Sequence, residues 1–185
     1  MEKIELQKGI LLLSEPFLPD PNFKRTVVLL TEHDDEGTVG FVLNRPTELT
    51  VNDVLDDFPT FDAQLYVGGP VEQNTLHFLH HEKIAIPGSK EVVPGLRWGG
   101  DFESVKAGIA NGHISTSDIR FFVGYAGWSA EQLAEEVNGK AWILSQASWE
   151  HVLGKTAESL WHNVLFEMGS DYRLLANSPE DPSLN

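Results

Sequence analysis

Apolar positions along the chain fall in short runs rich in β-branched and aromatic residues, separated by polar loops that carry glycine or proline. The runs at 10–13, 26–31, 38–43, 65–67, 75–80, 119–125 and 141–145 have the length and composition of strands. The second and third are joined by Asp34-Asp35-Glu36-Gly37, a short polar loop with a glycine, which predicts an antiparallel hairpin.

Four other segments carry the helical period. Thr50 caps a helix over 51–58, with Val51, Val54, Leu55 and Phe58 on one face. Asp101 caps 102–111, with Phe102, Val105, Ile109 and Ala110 inward and Gly112 as the stop. Ser129 and Gln132 form a capping box for a short helix through Leu133 and Val137, ended by Asn138-Gly139. The last helix covers about 156–168, with Ala157, Leu160, Trp161, Val164 and Met168 as its stripe. Strands and helices do not alternate strictly, so the pattern predicts an α+β fold with a mixed, mostly antiparallel sheet. A single domain is expected over 1–176. The tail at 177–185, with two prolines and Leu184 as its one large apolar residue, is expected to be irregular.

Composition narrows the function classes. The 185 residues suit one domain, and 41% hydrophobic with 22% charged residues is ordinary globular usage. The chain has no cysteine, which excludes disulfides, thiolate metal sites and cysteine nucleophiles. Its first apolar run, 10–13, is too short for a signal-peptide core or a membrane span, and Glu2 and Glu5 precede it, so a cytoplasmic protein without a membrane partner is expected. Thirteen basic residues against 28 acidic ones give a net charge of −15, which argues against direct binding to nucleic acid.

No established catalytic motif is present. Gly154-Lys155-Thr156 resembles the end of a phosphate-binding loop, but Trp149 stands where the motif needs its first glycine. The segment therefore reads as a helix start. There is no G-x-S-x-G elbow, no G-x-G-x-x-G and no H-E-x-x-H. His77, His80 and His81 crowd one strand, with His77 and His81 on the face opposite His80. Two imidazoles without a carboxylate at a fitting spacing read as solvated or hydrogen-bonded histidines, and neither a metal nor a cofactor is assigned. Asp20, His33, Glu135 and Glu136 are available for acid–base work, as such groups are in any chain of this size.

Three loops after strands are more informative. Asn44-Arg45-Pro46 places an arginine on extended backbone before proline. Gly68-Gly69-Pro70 permits close approach of a ligand or of another backbone. Gly124-Tyr125-Ala126-Gly127-Trp128 sets an aromatic beside the Ser129 helix start, either as a ligand wall or as a packing anchor.

These loops belong to a wider set: Gly9-Ile10-Leu11-Leu12, Asp20-Pro21-x-Phe23, Val27-Val28-Leu29-Leu30-x-x-His33, Gly40-Phe41-Val42-Leu43-Asn44-Arg45-Pro46, Tyr66-x-Gly68-Gly69-Pro70-Val71, Leu79-His80, Gln132-Leu133, Glu136 and Trp142. Together they resemble the AlgH/YqgE family of bacterial proteins, a group without an established biochemical activity. The resemblance implies a sheet curled into a barrel-like core with helices outside. It also implies the family's traditional label of transcriptional regulator, to which the residues lend no physical support.

The leading reading is a non-enzymatic cytoplasmic protein with a groove for a small molecule or a peptide segment. Asn44, Arg45, Pro46, Gly68, Gly69, Pro70, Tyr125, Gly127 and Trp128 are expected to line it. The rival reading is an enzyme of unrecognised type using His33, His80 or Asp20. A regulator without direct DNA contact ranks last.

Overall fold

A computed structural model describes residues 4–180. The strands are β1 (Ile10–Ser14), β2 (Val27–Asp34), β3 (Gly37–Val42), β4 (Pro46–Thr50), β5 (Gln64–Val67), β6 (Val71–His81), β7 (Lys90–Val93), β8 (Leu96–Trp98), β9 (Ile119–Trp128) and β10 (Trp142–Gln146). The helices are α1 (Val51–Val54), α2 (Phe102–Ala110), α3 (Ala130–Asn138), α4 (Trp149–Leu153), α5 (Leu160–Glu167) and α6 (Ser170–Ala176), and a 3₁₀ turn at Ala157–Ser159 leads into α5. Of the tail expected to be irregular, 177–180 carry neither helix nor strand, and 181–185 lie outside the described residues.

All the strands join one sheet in the order β10-β1-β2-β3-β9-β6-β8-β7, with β4 on β5 and β5 on β9. Among the described residues only the β5–β9 pairing is parallel, and the sheet curls into a half-barrel. The hairpin of β2 and β3 forms as its loop predicts: Asp34 Oδ1 accepts from the N–H groups of Glu36 and Gly37 at 2.8 and 3.1 Å.

The first strands are continuously apolar because both faces of the sheet are covered. Alternation sends Leu11, Leu13, Val27, Leu29, Phe41 and Leu43 to one core, closed by Val152, Leu160, Trp161, Val164 and Leu165 from α4 and α5. The opposite parity sends Ile10, Leu12, Val28, Leu30 and Val42 to a second core with Trp128, Leu133 and Trp142. A third core, under α2, joins Val105 and Ile109 to Leu65, Phe78 and Phe121.

Several elements differ from the sequence pattern. The helix expected over 51–58 stops at Val54, because only Val51 of it is buried and Val54 is exposed. Asn52 instead straps the following loop, accepting from Phe61 N at 2.8 Å and donating to the Pro59 carbonyl at 3.1 Å. Phe58 still packs, from that loop, on Phe102 and Phe121. On α2, Asp101 caps as expected, but Ala110 is exposed. On α3, Ser129 caps Gln132 N, yet the Gln132 side chain reaches forward to Glu136 and the capping box stays open.

Candidate functional site

The Asn-Arg-Pro, Gly-Gly-Pro and Gly-Tyr backbones meet inside the protein, where β3, β5 and β9 come together. Val42 N donates to the Gly68 carbonyl at 2.7 Å, Gly68 N to the Val123 carbonyl at 2.8 Å, and Val67 N to the Arg45 carbonyl at 2.8 Å. A methyl group on Gly68 would sit 2.4 Å from the Gly124 carbonyl oxygen, and one on Gly69 would sit 2.1 Å from the Tyr125 carbonyl. The glycines therefore admit another backbone and not a ligand. Asn44 is buried and bridges the entry to β2, accepting from Val27 N at 3.0 Å and donating to the Arg25 carbonyl at 2.9 Å. Pro46 opens β4 opposite Tyr66, and Pro70 is exposed on the turn into β6.

From this junction the side chains diverge. Asn44 and Arg45 face a cavity of about 430 Å³ shared with Lys24, Arg25, Trp161 and His162, with Glu158 and Glu180 also on its wall. Arg45 donates to the carbonyls of Asn44 (3.2 Å) and Lys24 and to Thr26 Oγ1 (2.8 Å). Its burial pushes the guanidinium below the usual arginine value. Arg25 holds a left-handed backbone, φ 46°, with its guanidinium 4.9 Å from the centre of the Trp161 ring. The Arg25 Nε is buried without a hydrogen-bond partner among the described residues. None of Lys24, Arg25 and Arg45 has a carboxylate within ion-pair distance among the described residues.

Tyr125, Gly127 and Trp128 line a different, smaller cavity of about 290 Å³ whose rim carries Glu32, Asp34 and Glu36. Instead of one groove for all nine expected residues, the structure shows an internal junction with a cationic cavity and an acidic one apart. The cause is β9: it pairs Tyr125 with Val71 but Trp128 with Thr38, so the strand carries Trp128 away from the glycines. Trp128 is a packing anchor, stacked on Phe23 at 5.8 Å and edge-on to Trp142 at 6.0 Å. The indole N–H groups of Trp128 and Trp142 both donate to Glu136 Oε2, at 3.0 and 2.7 Å.

The other candidate groups lie apart. His33 Nδ1 is 2.7 Å from Thr38 Oγ1, and Asp20 Oδ1 accepts from Asn22 N in a local turn. His80 is fully buried, with its ring nitrogens 3.1 and 3.2 Å from the carbonyls of Gly99 and His81. Burial lowers the His80 pKa, against those carbonyls, which favour the proton. None of the three lines either cavity. No group of three or more potential metal ligands occurs among the described residues, and none of their helices is long and apolar enough to cross a membrane.

One further feature was not anticipated from sequence. A groove of about 750 Å³ runs along β10, the end strand of the sheet, with Val137, Met168, Tyr172 and Leu175 among its other walls. Every residue from Trp142 to Gln146 lines it, so it follows the strand's edge and not one face. The sequence signal was there: Trp-Ile-Leu-Ser-Gln is a strand without charge, proline or glycine.

Comparisons with known proteins agree across the chain. A family model described as AlgH-like matches residues 11–173. A UPF0301 protein of Cytophaga hutchinsonii is 45% identical, over 97% of this chain and all of its own length. A UPF0301 protein of Chlorobaculum parvum is 46% identical, over 97% of this chain and 96% of its own. The solution structure of the AlgH protein from Pseudomonas aeruginosa superposes with a TM-score of 0.73 at 27% identity, covering 97% of this chain and 98% of that one. The crystal structure of protein DIP2367 from Corynebacterium diphtheriae has the same fold, with a TM-score of 0.79 at 24% identity, covering 96% of this chain and 95% of that one.

Proposed function

Since the chain belongs to the AlgH-like family, we propose that it is a non-enzymatic cytoplasmic binding protein whose Lys24-Arg25 and Asn44-Arg45 cavity takes the anionic group, carboxylate or phosphate, of a small molecule or peptide segment. The observation that carries this reading is the gathering of three cations at one cavity of a chain with net charge −15. Folding has already taken Arg45 partly out of water, and its tethers are two carbonyls and the Thr26 hydroxyl, with Glu158 and Glu180 on the cavity wall beyond ion-pair distance. An arriving anion meets the guanidinium charge at little reorganisation cost. Arg25, held in a conformation that disfavours its side chain, is the kind of local strain that persists where the surroundings over-determine it.

Two features support binding over catalysis. The groups of the enzyme reading, His33, His80 and Asp20, stay outside this cavity, and the nitrogens of His80 already face carbonyls. The family's regulator label fits such a protein without DNA contact, because the net charge of −15 opposes a polyanion at long range.

The test is a titration with inorganic phosphate and, separately, acetate, followed by the NMR resonances of the Arg45 Nε–H and Trp161 indole. Saturable shifts are expected, and Lys24→Ala, a change at an exposed residue, is expected to weaken binding about fivefold. Shifts that rise linearly without saturation for both anions, or that ignore Lys24→Ala, would overturn the reading.

A further inference from the structure

The hydrogen-bond pattern fixes which backbone groups of β10 are open. Ser14 N donates to the Thr26 carbonyl, so the even residues of β1 address β2. Glu15 N donates to the Ala141 carbonyl and Ala147 N to the Gly9 carbonyl, so the odd residues of β1 address β10. With Leu12 opposite Leu144 and Leu13 opposite Ile143, alternation turns Ile143 and Ser145 toward β1. It turns the N–H and C=O groups of Trp142, Leu144 and Gln146 outward into the groove. Among the described residues β10 has no second strand partner.

We propose that this edge is a second binding site, which takes an extended segment of a partner protein as an added strand. The ligand class follows from the groove. Outward donors and acceptors alternating along five residues match another β-strand and little else. Met168, Tyr172 and Leu175 pack on the same core as Ile143, so one face of the incoming strand meets apolar wall and carries apolar side chains at alternate positions. Its other face passes Ile4, Val137 and Lys140 before it reaches solvent, and the net charge of −15 on the chain favours lysine or arginine at the positions that clear the groove. The same charge sets a second copy of this chain against itself. Native edges are commonly guarded by charge, proline or a bulge. β10 has none of these: it is uncharged, lacks proline, and keeps an unbroken register with β1 over its whole length.

The probe is a fluorescent octapeptide alternating valine and lysine, followed by anisotropy. A peptide of the same composition in two blocks is the control for charge alone. The alternating peptide is expected to bind about tenfold more tightly than the block peptide. N-methylating one alternate set of its residues is expected to abolish binding while methylating the other set leaves it, the signature of a strand bonded along one edge. Gln146→Pro removes an outward donor at an exposed residue without touching a β1 bond, and is expected to weaken binding about tenfold. Equal binding of the two peptides, or equal effects of the two methylations, would overturn the proposal. So would sedimentation showing that a second copy of the chain occupies this edge.

Discussion

Glu136 offers the sharpest test of how the second core is held. Its Oε2 accepts from two indoles, Trp128 at 3.0 Å and Trp142 at 2.7 Å, while its Oε1 accepts from Gln132 at 3.1 Å. The two tryptophans are only 6% and 4% exposed, so Glu136→Ala leaves two N–H groups with little water to turn to. A hydrogen bond to a charged acceptor contributes about 1.5–3 kcal/mol, and an orphaned buried donor costs about 1–3 kcal/mol. Glu136→Ala is therefore expected to cost about 3–5 kcal/mol, or roughly 10 °C in Tm for a domain of this size. Glu136→Gln can set its one acceptor oxygen where both indoles donate, losing the charge and the acceptor for Gln132, and is expected to cost about 1–2 kcal/mol. Urea unfolding followed by tryptophan fluorescence measures both, and the indole resonances report whether both N–H groups move. An alanine variant within about 0.5 kcal/mol of the parent, the range of an ordinary surface change, refutes the reasoning.

Gly69→Ala is expected to abolish soluble expression, because its methyl group would enter the Tyr125 backbone and neither strand can yield without opening the junction; a soluble protein with unchanged Tm counts against this. Stability is expected to rise between pH 5 and pH 7. Burial lowers the pKa of His77, His80 and His151, so below about pH 6.5 the unfolded chain binds protons that the native state refuses. Urea midpoints at the two pH values test the sign, and His80→Gln is expected to narrow the gap. In a gel shift with duplex DNA at physiological salt, no binding is expected below micromolar concentration, and a tight, steeply salt-dependent complex contradicts the charge argument.

What the sequence made legible were the segments whose burial shows in their own composition. The runs that became β1, β2, β3 and β9 are apolar on both parities because helices or loops cover both faces. β4, by contrast, is Pro-Thr-Glu-Leu-Thr and partly exposed throughout, so its pairing with β5 leaves no hydrophobic trace. β7 and β8 flank Pro94-Gly95 and are too short to show a period. α4 and α6 were also missed, being single-turn or two-turn helices. At the candidate site, the residue types were legible but their directions were not. Gly68, Gly69 and Tyr125 do approach the Asn44-Arg45 turn, through backbone. Whether a glycine pair admits a ligand or a neighbouring strand depends on what arrives opposite, and β9 lies more than fifty residues further on. Lys24 and Arg25 gave no signal, since their convergence with Arg45 is made by the pairing of β2 with β3.

The place of β1 in the sheet has a consequence for synthesis. Its odd-numbered backbone groups bond to β10, which leaves the ribosome about 130 residues later. At about 5–20 residues per second, that interval is on the order of ten seconds. During it the nascent chain carries a strand of Ile-Leu-Leu-Leu-Ser with one side unsatisfied and no charge to guard it. The same side is open in any fragment that ends before Trp142. Such a fragment would be held by β2 on one flank and be available on the other to any chain emerging beside it, which makes the last strand of the sheet the one that ends the period of vulnerability to co-translational aggregation.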